Sequence, residues 1–136
     1  PRAPLGLDAL PELVRWEATL LAELGYGLDL ERCALTGGTD DLAYISPRTG
    51  RAVARAAAGI WEARLLRLPA FLIDADAPAA PADLRDGLRL TGHFLARDAF
   101  GQRHRPLPAA RTMLADKAEA WAAEREPMAD GSPAAG

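Results

Sequence analysis

The chain has 136 residues, a formal net charge of −3, 49% hydrophobic residues and 26% charged residues. That balance fits one globular domain with a real core. It excludes a histone-like, wholly basic nucleic-acid binder, and no apolar run reaches the ~20 residues needed to span a bilayer.

A chain that opens on Pro1 and not on Met is expected to be part of a longer protein. It has no signal-peptide pattern, and Cys33 is its single cysteine. No disulfide can form within it, which leads us to expect a reducing, cytoplasmic setting without membrane contact. Lys117 is the only lysine among the basic residues. A GC-rich genome explains that bias, and so does the bidentate grip of arginine on phosphate.

In chain order, residues 1–7 are rich in Pro and Gly and read as a linker end. Asp8 is placed to cap a helix, with Pro11 in its first turn. Leu13, Trp16, Leu20 and Leu24 recur at helical spacing, and this face is expected to be buried. Gly25 then reads as the glycine that ends the helix. Leu42 to Ile45 is a strand candidate. Ser46 to Gly50 is a turn, and Arg51 to Ala54 returns as a second strand. Ile60 to Leu68 reads as a short helix stopped by Pro69. Asp83 to Phe100 is a helix with Leu84, Leu88, Thr91 and Leu95 on one stripe. Gly101 to Arg105 is a polar connection. Leu107, Ala110, Leu114, Ala118 and Trp121 mark a last helix opened by Pro108. Residues 127–136 are small and polar and read as a disordered tail. The helices around Trp16, Phe94 and Trp121 are expected to share one core.

Catalytic chemistry finds little support. Gly37-Gly38 leads into Thr39-Asp40 and not into the Gly-Lys-Ser/Thr of a phosphate loop, so it reads as a turn. A nucleophilic site would need Cys33 with His93 or His104, and neither histidine stands in a recognisable motif. His93 reads as a structural histidine at a helix-packing edge. The pairs Asp40-Asp41 and Asp74/Asp76 read as turn formers. We expect no enzyme activity and no cofactor.

Two segments carry more information. Cys33, Thr36, Ala54 and Ala57 stand at the spacing of a four-cysteine zinc ribbon, with three of the four ligands missing. One thiol cannot hold zinc tetrahedrally, so no metal is expected. Between Ser46 and Arg67, the arginines Arg48, Arg51, Arg55, Arg64 and Arg67 face Glu62 as the only acid. Such a cluster can track phosphates without reading bases. A solvated arginine-rich face is the bland alternative.

The segment Leu24-Gly25-Tyr26-Gly27-Leu28-Asp29-Leu30-Glu31-Arg32-Cys33 resembles the lead into the zinc-finger-like region of the RecO family of bacterial recombination mediators. Ser46-Pro47-Arg48-Thr49-Gly50-Arg51-Ala52-Val53 resembles the turn before its second ligand pair. Leu65-Leu66-Arg67-Leu68-Pro69-Ala70-Phe71-Leu72 and Leu107-Pro108-Ala109-Ala110-Arg111 are also similar to that family. The resemblance implies a mainly α fold, a helical domain over residues 8–126 with a degenerate zinc-ribbon-like β-hairpin insertion at residues 28–58. It further implies an upstream OB-fold, binding of single- and double-stranded DNA, strand annealing, and recombinase loading with RecR. Contact with the single-stranded-DNA-binding protein is implied too. The competing expectation is a structural or protein-interaction domain, with DNA contact made by the upstream OB-fold.

Overall fold

A computed structural model describes residues 9–26, 28–74, 76–99 and 107–125. Asp8, the linker end 1–7, His104, the connection 101–105 and the tail 127–136 lie outside the described residues. The elements run α1 (Leu10–Glu23), β1 (Leu42–Ile45), β2 (Ala52–Ala54), α2 (Arg55–Ala58), a 3-10 helix (Gly59–Arg64), β3 (Leu66–Arg67), a 3-10 turn (Ala70–Leu72), α3 (Pro81–Phe94), a π turn (Leu95–Ala99) and α4 (Ala109–Arg125). The chain is mainly helical, with a three-stranded antiparallel sheet of order β2-β1-β3.

Helix α1 starts after Ala9, with no side-chain cap and Pro11 in its first turn. It ends as the glycine required. Gly25 has φ 90°, its N–H donates to the Ala22 carbonyl, and the Tyr26 N–H donates to that of Leu21. This double closure satisfies carbonyls left free at the helix end. The buried face differs from the expected one. Leu10, Val14, Glu17 and Leu21 are buried, whereas Trp16 is 60% exposed and Leu24 lies largely in solvent. The face is turned because Glu17 sits in the interior, where Arg111 and Thr91 hold it.

The expected hairpin forms. Gly50 takes φ 75° in the turn, and Leu42, Tyr44 and Ile45 pair with Ala54, Val53 and Ala52 across a bulge. The expected helix from Ile60 to Leu68 does not form as one. Gly59, at φ 52°, follows α2, the next turn is 3-10, and Leu66–Arg67 becomes β3 against Ile45 and Tyr44. The free edge of β1 offers hydrogen bonds that a short, exposed helix cannot match. The Leu68 N–H extends this pairing to the Ala43 carbonyl.

Helix α3 is central, packing on α1, α4 and β3. Pro81 opens it, and the Asp83 carboxylate accepts from the Ala80 N–H at 3.0 Å. Its α-helical form stops at Phe94, where the π turn begins, short of the expected Phe100. The single shared core is replaced by three clusters. Leu10, Val14, Phe71, Leu84, Leu88 and Ala118 fill one between the helices, with Trp121 against it. Leu21, Ile45, Leu90, Phe94 and Leu95 join helices to sheet. Cys33, Tyr44, Val53, Ala54 and Ala58 form the third, beyond the sheet. No helix among the described residues is long and apolar enough to cross a membrane.

Candidate nucleic-acid interface

The third cluster gathers the degenerate ligand positions. Cys33 and Ala54 are buried in it, and Ala57 packs against it. Cys33 Sγ accepts the N–H of Ala54 at 3.3 Å and of Leu35 at 3.4 Å. Burial raises the thiol pKa, but these N–H groups and the Thr36 hydroxyl outweigh it and bring it from 9.0 to about 7. A zinc ion does not fit this set. It offers one sulfur, already taken up by backbone donors, and no His/Cys/Asp/Glu cluster that could hold a metal occurs among the described residues. Nor does Cys33 meet a base among the described residues. The ring of His93 donates from Nε2 to the Pro47 carbonyl at 2.9 Å and stands edge-on to Phe94. His93 is therefore a packing histidine, as its place in the sequence implied.

All five arginines are exposed, and the fold sorts them. Arg48, Arg51 and Arg64 line a hollow of about 530 Å³ with Leu35, Trp61, Val53 and Leu65. Arg67 lines an adjoining hollow beside Tyr44, and Leu65 borders both. The guanidiniums of Arg55 and Arg67 lie 6.0 and 5.9 Å from the Tyr44 ring centre, within cation–π range. Two arginines have acidic neighbours that the sequence window missed. Asp41, itself at φ 49°, meets Arg55 at 3.1 Å, and Asp29 stands 4.0 Å from Arg51. Arg48, Arg64 and Arg67 have no ion pair among the described residues.

The turn that carries Arg48 is held from behind. Its Ser46 hydroxyl accepts the N–H groups of Arg48 and Thr49 at 3.3 Å each. Arg97, just past α3, donates from Nη1 to the carbonyls of Pro47 at 2.7 Å and Arg48 at 3.1 Å. Asp98 pairs with the same guanidinium and raises its pKa. Sequence reasoning missed Arg97 and His93 in this role, because their partners lie some 50 and 46 positions away and no local pattern marks them.

A mainly helical domain that carries an inset three-stranded sheet, with exposed arginines around a hollow on that sheet, is the class of protein this structure defines. The profile of the family described as Recombination protein O C terminal matches residues 5–106, and the chain belongs to that family. It is 63% identical over 115 residues to a protein named DNA repair protein RecO from Gluconacetobacter diazotrophicus, covering 85% of this chain and 45% of that one. Over 112 residues it is 69% identical to the protein of the same name from Acidiphilium cryptum, covering 80% and 45%. The Granulibacter bethesdensis relative is 59% identical over 113 residues, covering 82% and 45%. The chain thus spans less than half the length of these relatives. No solved structure gives a significant match.

Proposed function

We propose that this chain is a DNA- and partner-contacting module of a recombination mediator in bacterial DNA repair, working in the cytoplasm by surface contact and without turnover. The observation that carries the reading is the set Arg48, Arg64 and Arg67, exposed and without carboxylate partners among the described residues, beside Arg51 and Arg55. A net charge of −3 would disfavour a polyanion unless the positive groups were grouped, and here they are. Guanidiniums spread over a turn, a strand end and a 3-10 helix contact phosphates without reading bases. The sheet with Cys33, Thr36, Ala54 and Ala57 is a zinc ribbon that has exchanged its metal for a small apolar core. In the whole protein, single- and double-stranded DNA, RecR and the single-stranded-DNA-binding protein are the partners we assign by family, with strand annealing and recombinase loading as the outcome.

Fluorescence anisotropy of labelled DNA at two or more salt concentrations tests this. If four phosphates are engaged, log K falls against log salt with a slope of about −3 on single strands. Arg51→Ala with Arg55→Ala should flatten that slope by roughly one to two units. Unchanged low-salt affinity after replacing all five arginines would refute the reading and give DNA contact to another part of the protein.

A second reading, docking of a protein partner, is favoured by one observation. A hollow of about 400 Å³ between α1 and α4 is lined by Leu13, Trp16, Leu20, Leu95 and Leu114, with the indole of Trp16 largely in solvent. Exposed apolar surface of this kind marks interaction sites.

A further inference from the structure

We infer that the hollow between Arg48, Arg51 and Arg64 takes one unpaired base of a nucleic-acid strand, stacked on Trp61, and so gives the module a preference for single strands over duplex. The inference rests on the DNA reading above and names what that surface selects.

Trp61 serves no visible purpose in the fold. It lies on the 3-10 helix Gly59–Arg64, which buries none of its residues, and it is itself 51% exposed. Among the described residues its ring meets the Arg64 guanidinium, 6.0 Å from the ring centre. Leu35, on the loop after Cys33, is 62% exposed and lines the same hollow. The hollow of about 530 Å³ falls within the roughly 300–1,000 Å³ typical of small-ligand sites. It combines an apolar base (Val53, Leu65), an exposed aromatic face and three guanidiniums. That is the composition of a base-stacking site with phosphate contacts beside it.

An acidic peptide would answer to the same charge, but the backbone argues against it. A peptide would dock most readily by adding a strand to the sheet. The β2 edge is already covered, because the Ala34 N–H donates to the Ala52 carbonyl and the Ala52 N–H to that of Asp29. On the far edge, β3 has only two residues and packs on α3. Duplex DNA, with its bases stacked and paired, can offer phosphates to the arginines and no free base face to Trp61.

The test is anisotropy at low salt with a labelled oligothymidylate, an abasic strand of equal length and a duplex, against wild type, Trp61→Ala, Trp61→Phe and Arg48→Ala/Arg64→Ala. Trp61 is exposed, so the variants should melt as wild type does. We expect Trp61→Ala to weaken the oligothymidylate about 5- to 150-fold, the range for loss of one stacked base. Duplex affinity should stay within about twofold, and Trp61→Phe should keep most single-strand binding. Wild type should hold the abasic strand no better than Trp61→Ala holds the oligothymidylate. Equal losses on strand and duplex, or undiminished binding of the abasic strand, overturn the inference. If the arginine variant weakens both polymers and Trp61→Ala moves neither, the stacking site falls while the DNA reading stands. If neither substitution affects either polymer, both fall. Binding of a polyglutamate peptide ending in phenylalanine that depends on Trp61, without DNA binding, assigns the hollow to a protein and also overturns it.

Discussion

Replacing Arg111 with methionine removes the polar link that joins three helices. In the native chain the guanidinium of Arg111, from α4, grips Glu17 on α1 with Nε to Oε2 at 2.6 Å and Nη2 to Oε1 at 2.9 Å. It also donates to the Leu88 carbonyl on α3 at 3.0 Å. Thr91 donates to Glu17 Oε1 at 2.6 Å. Both side chains are nearly dry, 10% exposed for Arg111 and 5% for Glu17. Without Arg111, the carboxylate is left in the core with one hydroxyl for company. Breaking a buried pair by removing one partner costs about 3–5 kcal/mol. Replacing both partners by apolar residues is often neutral or stabilising, because neither charge then has to leave water. Glu17→Leu with Arg111→Met should therefore recover most of the loss. The control is Glu119, whose pair with Arg89 lies in solvent and should be worth less than about 1 kcal/mol. Urea unfolding of wild type, Glu17→Leu, Arg111→Met and the double variant measures the cycle. A cost for Arg111→Met below about 1 kcal/mol, or a double variant no more stable than the single one, would show that the pair does not organise this interface.

Three further outcomes are expected. Gly87→Ala should destabilise by about 1–3 kcal/mol in chemical denaturation despite the better helix propensity of alanine, because the new methyl would stand 3.0 Å from Val14 Cγ1 and 3.1 Å from Phe71 Cζ. Cys33 has a folded-state pKa of about 7, below the ordinary 9.0, so its ionisation adds stability in full above pH 9. That contribution shrinks as pH falls and is absent below about pH 7; the difference in unfolding free energy between wild type and Cys33→Ala should rise across that window, and a flat difference would refute the hydrogen-bonded thiolate. Arg97→Gln should free the Ser46–Gly50 turn from behind, quickening amide exchange at Arg48 and Thr49 about tenfold, as expected for a lost bond of ~1.4 kcal/mol; unaltered exchange there would show that Arg97 does not hold the turn.

The hairpin was legible because its signals are local. Leu42 to Ile45 and Ala52 to Ala54 flank a turn whose Gly50 needs a positive φ, and short-range chemistry suffices to read that. The end of α1 at Gly25 and the stripe Leu84, Leu88 and Thr91 on α3, continued by Leu95 in the π turn, were legible for the same reason. The buried face of α1 was not. A reading by hydrophobic periodicity gives no weight to a buried charge, so it set the face of Trp16 in the core and passed over Glu17. The opposite holds because Arg111 arrives from 94 positions away. Strand β3 escaped notice because Leu65-Leu66 reads equally well as helix, and only the unpaired edge of β1 decides the matter.

The same distinction governs the interface. That five arginines crowd a stretch holding one acid is visible in the sequence, and the fold does keep them exposed. Their inequality is not visible. Asp29 and Asp41 lie outside the window and are brought back to it by the paired backbone, since Asp29 bonds to Gly50 and Ala52, and the Arg55 N–H donates to the Asp41 carbonyl. Arg51 and Arg55 therefore stand beside carboxylates, whereas Arg48 and Arg64 flank the hollow without one among the described residues. A carboxylate at 3–4 Å competes with phosphate for the same guanidinium, so Arg48 and Arg64 should contribute more to DNA affinity per residue than Arg51 and Arg55. Single alanine variants in one anisotropy series rank them. A larger loss at Arg55 than at Arg48 would mean that Asp41 orients Arg55 toward the strand and does not occupy it.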